Sequence, residues 1–168
     1  MKVILILSCG EKTGKMKLNI GAGTKIIEGW INIDILPRSY GLLMMDARKL
    51  GFINNSIDEI KAEDILEHIS FRETINVLKE WYRVLKKEGK IYIRAPNLTG
   101  WAIALLKHKA SDDFIVEHLY GHQDYETNFH KAGFTMSSLK EKMEFVGFKN
   151  IRFESNEEDT NVHLWAEK

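Results

Sequence analysis

The chain has 168 residues, 44% hydrophobic and 29% charged, the proportions of a globular domain long enough to build one core without staples. Lys+Arg and Asp+Glu number 24 each, and this zero net charge argues against a dedicated nucleic-acid binder, which carries a basic excess. A lone cysteine, Cys9, excludes an internal disulfide and a cysteine-rich zinc site, and no apolar run approaches membrane-spanning length.

The opening MKVILILSCGEKTGK has an apolar run, Val3 to Leu7, too short for a signal sequence, and no A-x-A-like site follows. Residues 1–16 are expected to be an N-terminal extension of a cytoplasmic protein, with a single domain over 17–168. Short β-rich runs come next, at Lys17 to Ile20, Ile31 to Ile35, Leu42 to Met45 and Ile57 to Glu63. In FRETINVLKEWYRVLKKEG, Phe71, Ile75, Leu78, Tyr82 and Leu85 form one helical stripe. Lys86 and Lys87 fit its last turn and Gly89 its C′ position. KIYIRAP reads as a strand, stopped by Pro96, and LTGWAIALLKHK as a short apolar helix.

Ser111 to Gly133 reads as irregular, and residues 98–136 as an insertion or lid. SSLKEKMEFVGF predicts a helix with a Ser138/Glu141 capping box, closed by Gly147. FKNIRFES and NVHLWAEK alternate as an antiparallel pair of strands. Alternating strands and helices predict an α/β sheet with a parallel core, in which ligands sit beyond the carboxyl ends of the strands.

Those strand ends carry suitable chemistry. Gly21-Ala22-Gly23 ends the first strand and lets backbone approach a ligand, although the motif alone also fits an ordinary tight turn. Asp34 ends the second, where a carboxylate can accept both ribose hydroxyl protons. Asp46-Ala47 follows the third, an acceptor and an amide suited to an adenine edge. The third glycine of the dinucleotide fingerprint is missing, since Gly23 is followed by Thr24, Lys25 and Ile26. The pattern therefore fits a nucleoside better than a nicotinamide or flavin dinucleotide.

The segments LNIGAG, GWINIDI, DARKLGFINNSIDEIKAEDILEHI, EWYRVLKKEGKIYIRAPN and GFKNIRF together resemble class I S-adenosylmethionine-dependent methyltransferases. In particular the chain is similar to small methyltransferases often found beside sugar-transfer genes and to the broader type 11 group. The resemblance implies a Rossmann-like sheet of seven strands, the last antiparallel, and S-adenosyl-L-methionine as cofactor, with S-adenosyl-L-homocysteine as product. Gly21, Ala22 and Gly23 would lie against the methionine part, Asp34 on the ribose, Ile35 and Leu36 beside the adenine, and Asp46 and Ala47 on its amine and ring. Glu63 and Asp64 would line the floor near the sulfonium, with His68 close by, and Asn19 stands where the family usually has an acid.

The first two crossovers are too short for full helices. The apolar N-terminal segment or a second subunit is expected to cover the exposed face, which makes a homodimer one expectation. In VEHLYGHQDYETNFHKAGF, similar to an acceptor-side stretch of the family, His122, Asp124 and His130 are the candidates for base or substrate contacts. His118 and His122 are four apart, but HLYGH lacks the glutamate of H-E-x-x-H, so no metal is expected.

The expected function is methyl transfer to a small molecule, with a sugar or glycolipid precursor suggested by the resemblance alone. Methylation of RNA or protein would need a basic open face. A non-catalytic S-adenosylmethionine-binding partner protein is the alternative from outside enzymology.

Overall fold

Seven strands with alternating apolar side chains build the molecule, and a computed structural model describes residues 14–168. The strands are β1 (Lys17–Ile20), β2 (Ile31–Asp34), β3 (Leu42–Met44), β4 (Ile57–Glu63), β5 (Leu85–Pro96), β6 (Lys149–Phe153) and β7 (Asn161–Glu167). Their order in the sheet is β3-β2-β1-β4-β5-β7-β6. Neighbours from β3 to β5 are parallel, and β7 runs antiparallel to both β5 and β6. The chain reverses its direction of travel across the sheet between β1 and β4, the switch point at which such sheets bind ligands. This is the Rossmann-like sheet of seven strands, the last antiparallel, that the resemblance implies.

One face of the sheet is apolar throughout. Leu18, Ile20, Ile33, Ile60, Ala62, Ile91, Ile93 and Leu164 are fully buried on it. Helix α1 (Thr74–Val84) lays Val77, Leu78, Trp81 and Val84 against this face, and α4 (Met136–Val146) adds Leu139 and Met143. Trp81 meets its one polar need by donating from Nε1 to the Ala47 carbonyl at 2.9 Å.

The residues that alternate onto the other face are polar and paired with one another. Lys17 bridges Glu59 at 2.7 Å, Lys61 bridges Glu63 at 3.1 Å, and the Tyr92 hydroxyl meets His163 Nδ1 at 2.7 Å. Parallel sheets ordinarily carry helices on both faces. Here no helix forms in any of the first three crossovers. Two buried asparagines do a helix's job there. Asn19 donates to Asn32 Oδ1 and to the Lys25 carbonyl, both at 2.9 Å. Asn32 in turn accepts from the Ile27 amide at 2.9 Å and donates to the carbonyls of Ile27 and Trp30 at 3.0 and 3.1 Å. The backbone at Lys25, Ile27 and Trp30 is thus held by side chains as well as by the crossover's own turns.

Three local expectations are corrected. The helix at 74 stops at Val84, and Leu85 is already extended. Leu85 is buried opposite Ile57, and Lys86 reaches Asp58 at 2.8 Å, so Lys86, Lys87 and Gly89 belong to β5 and not to a helix end. The stretch 111–133 is not irregular throughout. It contains α3 (Asp112–Tyr120), capped by Ser111 and packed on α2 (Leu98–Leu106) around Trp101, Ala104 and Ile115. The capping box of α4 pairs Thr135 with Ser138, one turn earlier than Ser138 with Glu141. Most of the expected extension, residues 1–13, lies outside the described residues, and so does the cover proposed for the open face. Among the described residues no helix is long and apolar enough to cross a membrane.

Replacing Asn32 by Ala removes one of the two acceptors of the Asn19 amide and the side-chain partners of the Ile27 amide and the Ile27 and Trp30 carbonyls, and a buried group left unpaired costs about 1–3 kcal/mol. Asn32→Ala is expected to lower unfolding free energy by more than about 2 kcal/mol in urea titration, well beyond the effect of Lys61→Ala at an exposed pair.

Candidate functional site

The carboxyl ends of β1, β2 and β4 and the segment after β3 open into one cleft of about 570 Å³, a size suited to a small molecule. Its shape begins with the turn after β1. Gly21 has φ +70° and Gly23 φ +52°. A Cβ on Gly21 would lie 2.7 Å from Ile65 Cβ, so the backbone there approaches the turn after β4 more closely than any other residue allows. At Gly23 the space beside the backbone is open, and only the left-handed conformation asks for glycine.

Asp34 ties this turn to the next. Its Oδ2 accepts from the Gly23 amide and its Oδ1 from the Leu36 amide, both at 2.9 Å. The carboxylate is therefore held rigidly at the cleft, with a further lone pair on each oxygen for a ligand. Past β3, Asp46 receives a forked Arg48 guanidinium at 2.7–3.0 Å. That hydrogen bond, outweighing partial burial, holds the Asp46 carboxyl below its ordinary range. At the end of β4, Asp64 takes a left-handed conformation and pairs with Arg94, with Lys25 3.8 Å away. The far wall comes from the segment after α3: Tyr125, Thr127, Asn128 and Lys131. Arg38 lies over the Tyr125 ring at 4.1 Å and links the two walls.

All the cofactor residues expected from sequence line this cleft except Asn19 and Leu36. Asn19 is buried beneath it and spent on Asn32 and Lys25. Leu36 contributes its amide to Asp34 and not its side chain to the cleft. The acceptor-side candidates stand apart from the cleft lining. His122 turns out to Glu117 at 2.6 Å, and Asp124 is exposed and bonded to Asn128 at 2.5 Å, so neither lines the cleft. His130 stands behind the wall, its ring edge-on to His68 with centroids 4.9 Å apart.

Sequence inspection missed the basic side chains Lys25, Arg38, Arg48 and Lys131 on the cleft walls. Arg48, two residues from Asp46 in the run DAR, was the visible one. It also missed Glu67, 1% exposed, whose pKa burial pushes up to about 8. Burial likewise lowers His68, helped by neighbouring His130, and lowers His130 itself against the carbonyls of Leu119 and His118. Glu67, His68 and His130 place one ligand-capable atom each within 4.8 Å of one another, the arrangement among the described residues that could hold a metal.

A family model described as a methyltransferase domain matches residues 28–93, which include Asp34, Asp46 and Asp64 and span β2 to most of β5. No curated protein matches the chain. Among solved structures it is similar to an S-adenosylmethionine-dependent methyltransferase from Archaeoglobus fulgidus, at 17% identity over 94% of this chain and 87% of that one, TM-score 0.65. A second such protein, from Methanosarcina mazei, is 20% identical over 94% of both chains, TM-score 0.66. Phosphoethanolamine N-methyltransferase 2 of Haemonchus contortus, solved with phosphomonomethylethanolamine and S-adenosylhomocysteine, is 19% identical over 86% of this chain and 36% of that one, TM-score 0.57. At these identities the likeness is one of fold.

Gly21→Ala meets both the Ile65 contact and the positive φ. It is expected to cost about 1–3 kcal/mol in thermal or urea unfolding. Adding Ile65→Gly removes the Cβ, Cγ1 and Cδ1 atoms that the new methyl meets but leaves the positive φ, so the double variant should lose less than the sum of the two single variants.

Proposed function

We propose that the chain is a class I S-adenosylmethionine-dependent methyltransferase and that it methylates a small molecule whose reacting group enters between β4 and the wall formed by Tyr125, Thr127, Asn128 and Lys131. The observation that carries this is the Asp34 carboxylate, fixed by two amides at the switch point of the sheet and facing a cleft of small-molecule size. The residues fit the cofactor on their own chemistry. The turn at Gly21 and Gly23 leaves backbone bare at the cleft, and Asp34 keeps a lone pair on each oxygen for the two ribose hydroxyls. Asp46 and Ala47 offer an acceptor and an amide to the adenine, with Ile35 beside them, and Glu63 and Asp64 carry the negative charge that suits a sulfonium.

S-adenosylmethionine, when bound, supplies an electrophilic methyl on an excellent leaving group. The protein's part is then to orient the acceptor and exclude water. Asp34 and the glycine turn position the nucleoside, and the Arg38–Tyr125 contact closes the cleft above it. The zero net charge favours a small acceptor over RNA. A sugar or glycolipid precursor is the acceptor class suggested by the resemblance to methyltransferases found beside sugar-transfer genes.

Calorimetric titration with S-adenosylmethionine and S-adenosylhomocysteine, with NAD as control, tests the cofactor. Saturable binding of the first two alone is expected. Asp34→Ala should weaken both by roughly a hundredfold or more, the loss of two charge-assisted hydrogen bonds at about 1.5–3 kcal/mol each. Unchanged affinity in that variant would remove Asp34 from the site. Binding without methyl transfer to any of a panel of sugars and phenols would favour the non-catalytic partner protein.

A further inference from the structure

The 3₁₀ turn Leu66–His68 after β4 carries a buried carboxyl group with one oxygen left unpaired. Glu67 is 1% exposed, and its Oε2 has no hydrogen-bond partner among the described residues. A buried oxygen left so is rare and costly in a native protein. Two imidazoles stand beside it, with one ligand-capable atom each of Glu67, His68 and His130 within 4.8 Å of one another. The His68 Nδ1 faces the Phe129 carbonyl at 3.2 Å, so the neutral ring donates from Nδ1 and keeps its lone pair on Nε2. That outer contact is the one metal-bound imidazoles ordinarily make.

The cluster is also held from outside. The Glu67 carbonyl accepts from the amides of Lys131 at 2.7 Å and Ala132 at 3.0 Å, and the His130 amide donates to the Tyr120 carbonyl at 2.9 Å. Three side chains from two distant segments are thereby kept in one place.

We propose that Glu67, His68 and His130 form a binding site for a divalent first-row transition ion, completed by a hydroxyl of the acceptor. Two imidazoles and a carboxylate select zinc, iron or manganese over calcium. Three protein ligands leave coordination positions open. His68 belongs both to the cluster and to the cleft wall, so the ion stands at the edge of the space the acceptor enters. There it lowers the pKa of a bound hydroxyl. The O–H bond breaks with its electron pair left on oxygen and its proton passed to solvent, so the acceptor is held as an oxyanion. An amine gains nothing from this, and the acceptor is therefore a hydroxyl compound. The acceptor half of the inference rests on the proposed methyl transfer; the ion site does not.

The HLYGH pair is the competing metal site. His118 and His122 rings lie 5.9 Å apart, with Glu117 bonded to His122. Full-length protein stripped with chelator is titrated with ZnCl₂ by calorimetry, and in parallel with S-adenosylhomocysteine. Saturable zinc binding is expected. Loss of an outer-shell partner alone costs about 10–100-fold in metal affinity, so E67Q and H130A should each lose at least about a hundredfold. H122A should bind as the wild type does. Circular dichroism checks that each variant is folded, and H130A carries the comparison if E67Q is not. No saturable zinc binding by the wild type, wild-type affinity in both cluster variants, or loss of binding in H122A instead overturns the site. Zinc binding without S-adenosylhomocysteine binding sinks the cofactor reading and leaves the ion site standing; the reverse result sinks the ion site alone.

Discussion

The amide pair Asn19–Asn32 is what the front of the molecule rests on. Between β1 and β2 the chain has ten residues and no helix, yet it must turn back to start a parallel neighbour. The two asparagines, 5% exposed each, supply hydrogen bonds to the backbone at Lys25, Ile27 and Trp30. Because those bonds fix the crossover, the glycine turn above it is fixed too, and Asp34 then reaches the Gly23 amide. Cleft geometry at β1 and β2 thus derives from a buried polar network whose side-chain amide donors all have partners, the kind that specifies one arrangement.

A one-sided sheet follows from the same economy. Only α1 and α4 join the main core, so the apolar side chains alternate onto their face alone. The other face is filled by opposite charges across neighbouring strands, such as Lys17 with Glu59 on β1 and β4. Each half-exposed pair contributes little, about 0–1 kcal/mol. Their effect is on register. A slip by one residue would carry Leu18 and Ile20 to the polar face and Lys17 and Asn19 into the core.

Strand positions were legible because period-two alternation survives even in four-residue strands, and Asp34 and Asp46 because polar residues at the ends of apolar runs stand out. What escaped was set by tertiary contact. The stripe of α1 continues through Leu85, but pairing with Ile57 takes that residue into β5. Helix α3 buries only Ile115, so it has no stripe to read. His122 and His130 are equivalent in sequence, and nothing in spacing says that one turns outward to Glu117 while the other meets His68. Glu67 was hidden for a related reason: in EDILEHI a glutamate beside a histidine looks like ordinary surface, and only the fold buries it.

The far wall of the cleft is held unequally at its two ends. On one side two amides bond a single carbonyl, that of Glu67. On the other, one exposed cation rests over one ring, Arg38 on Tyr125. Such a latch is worth about 0.5–1 kcal/mol, little more than thermal energy. The wall is thus pinned at the Glu67 carbonyl and only lightly held at its Tyr125 edge. Admitting a ligand there asks for the loss of one cation–ring contact and not for unfolding of the sheet.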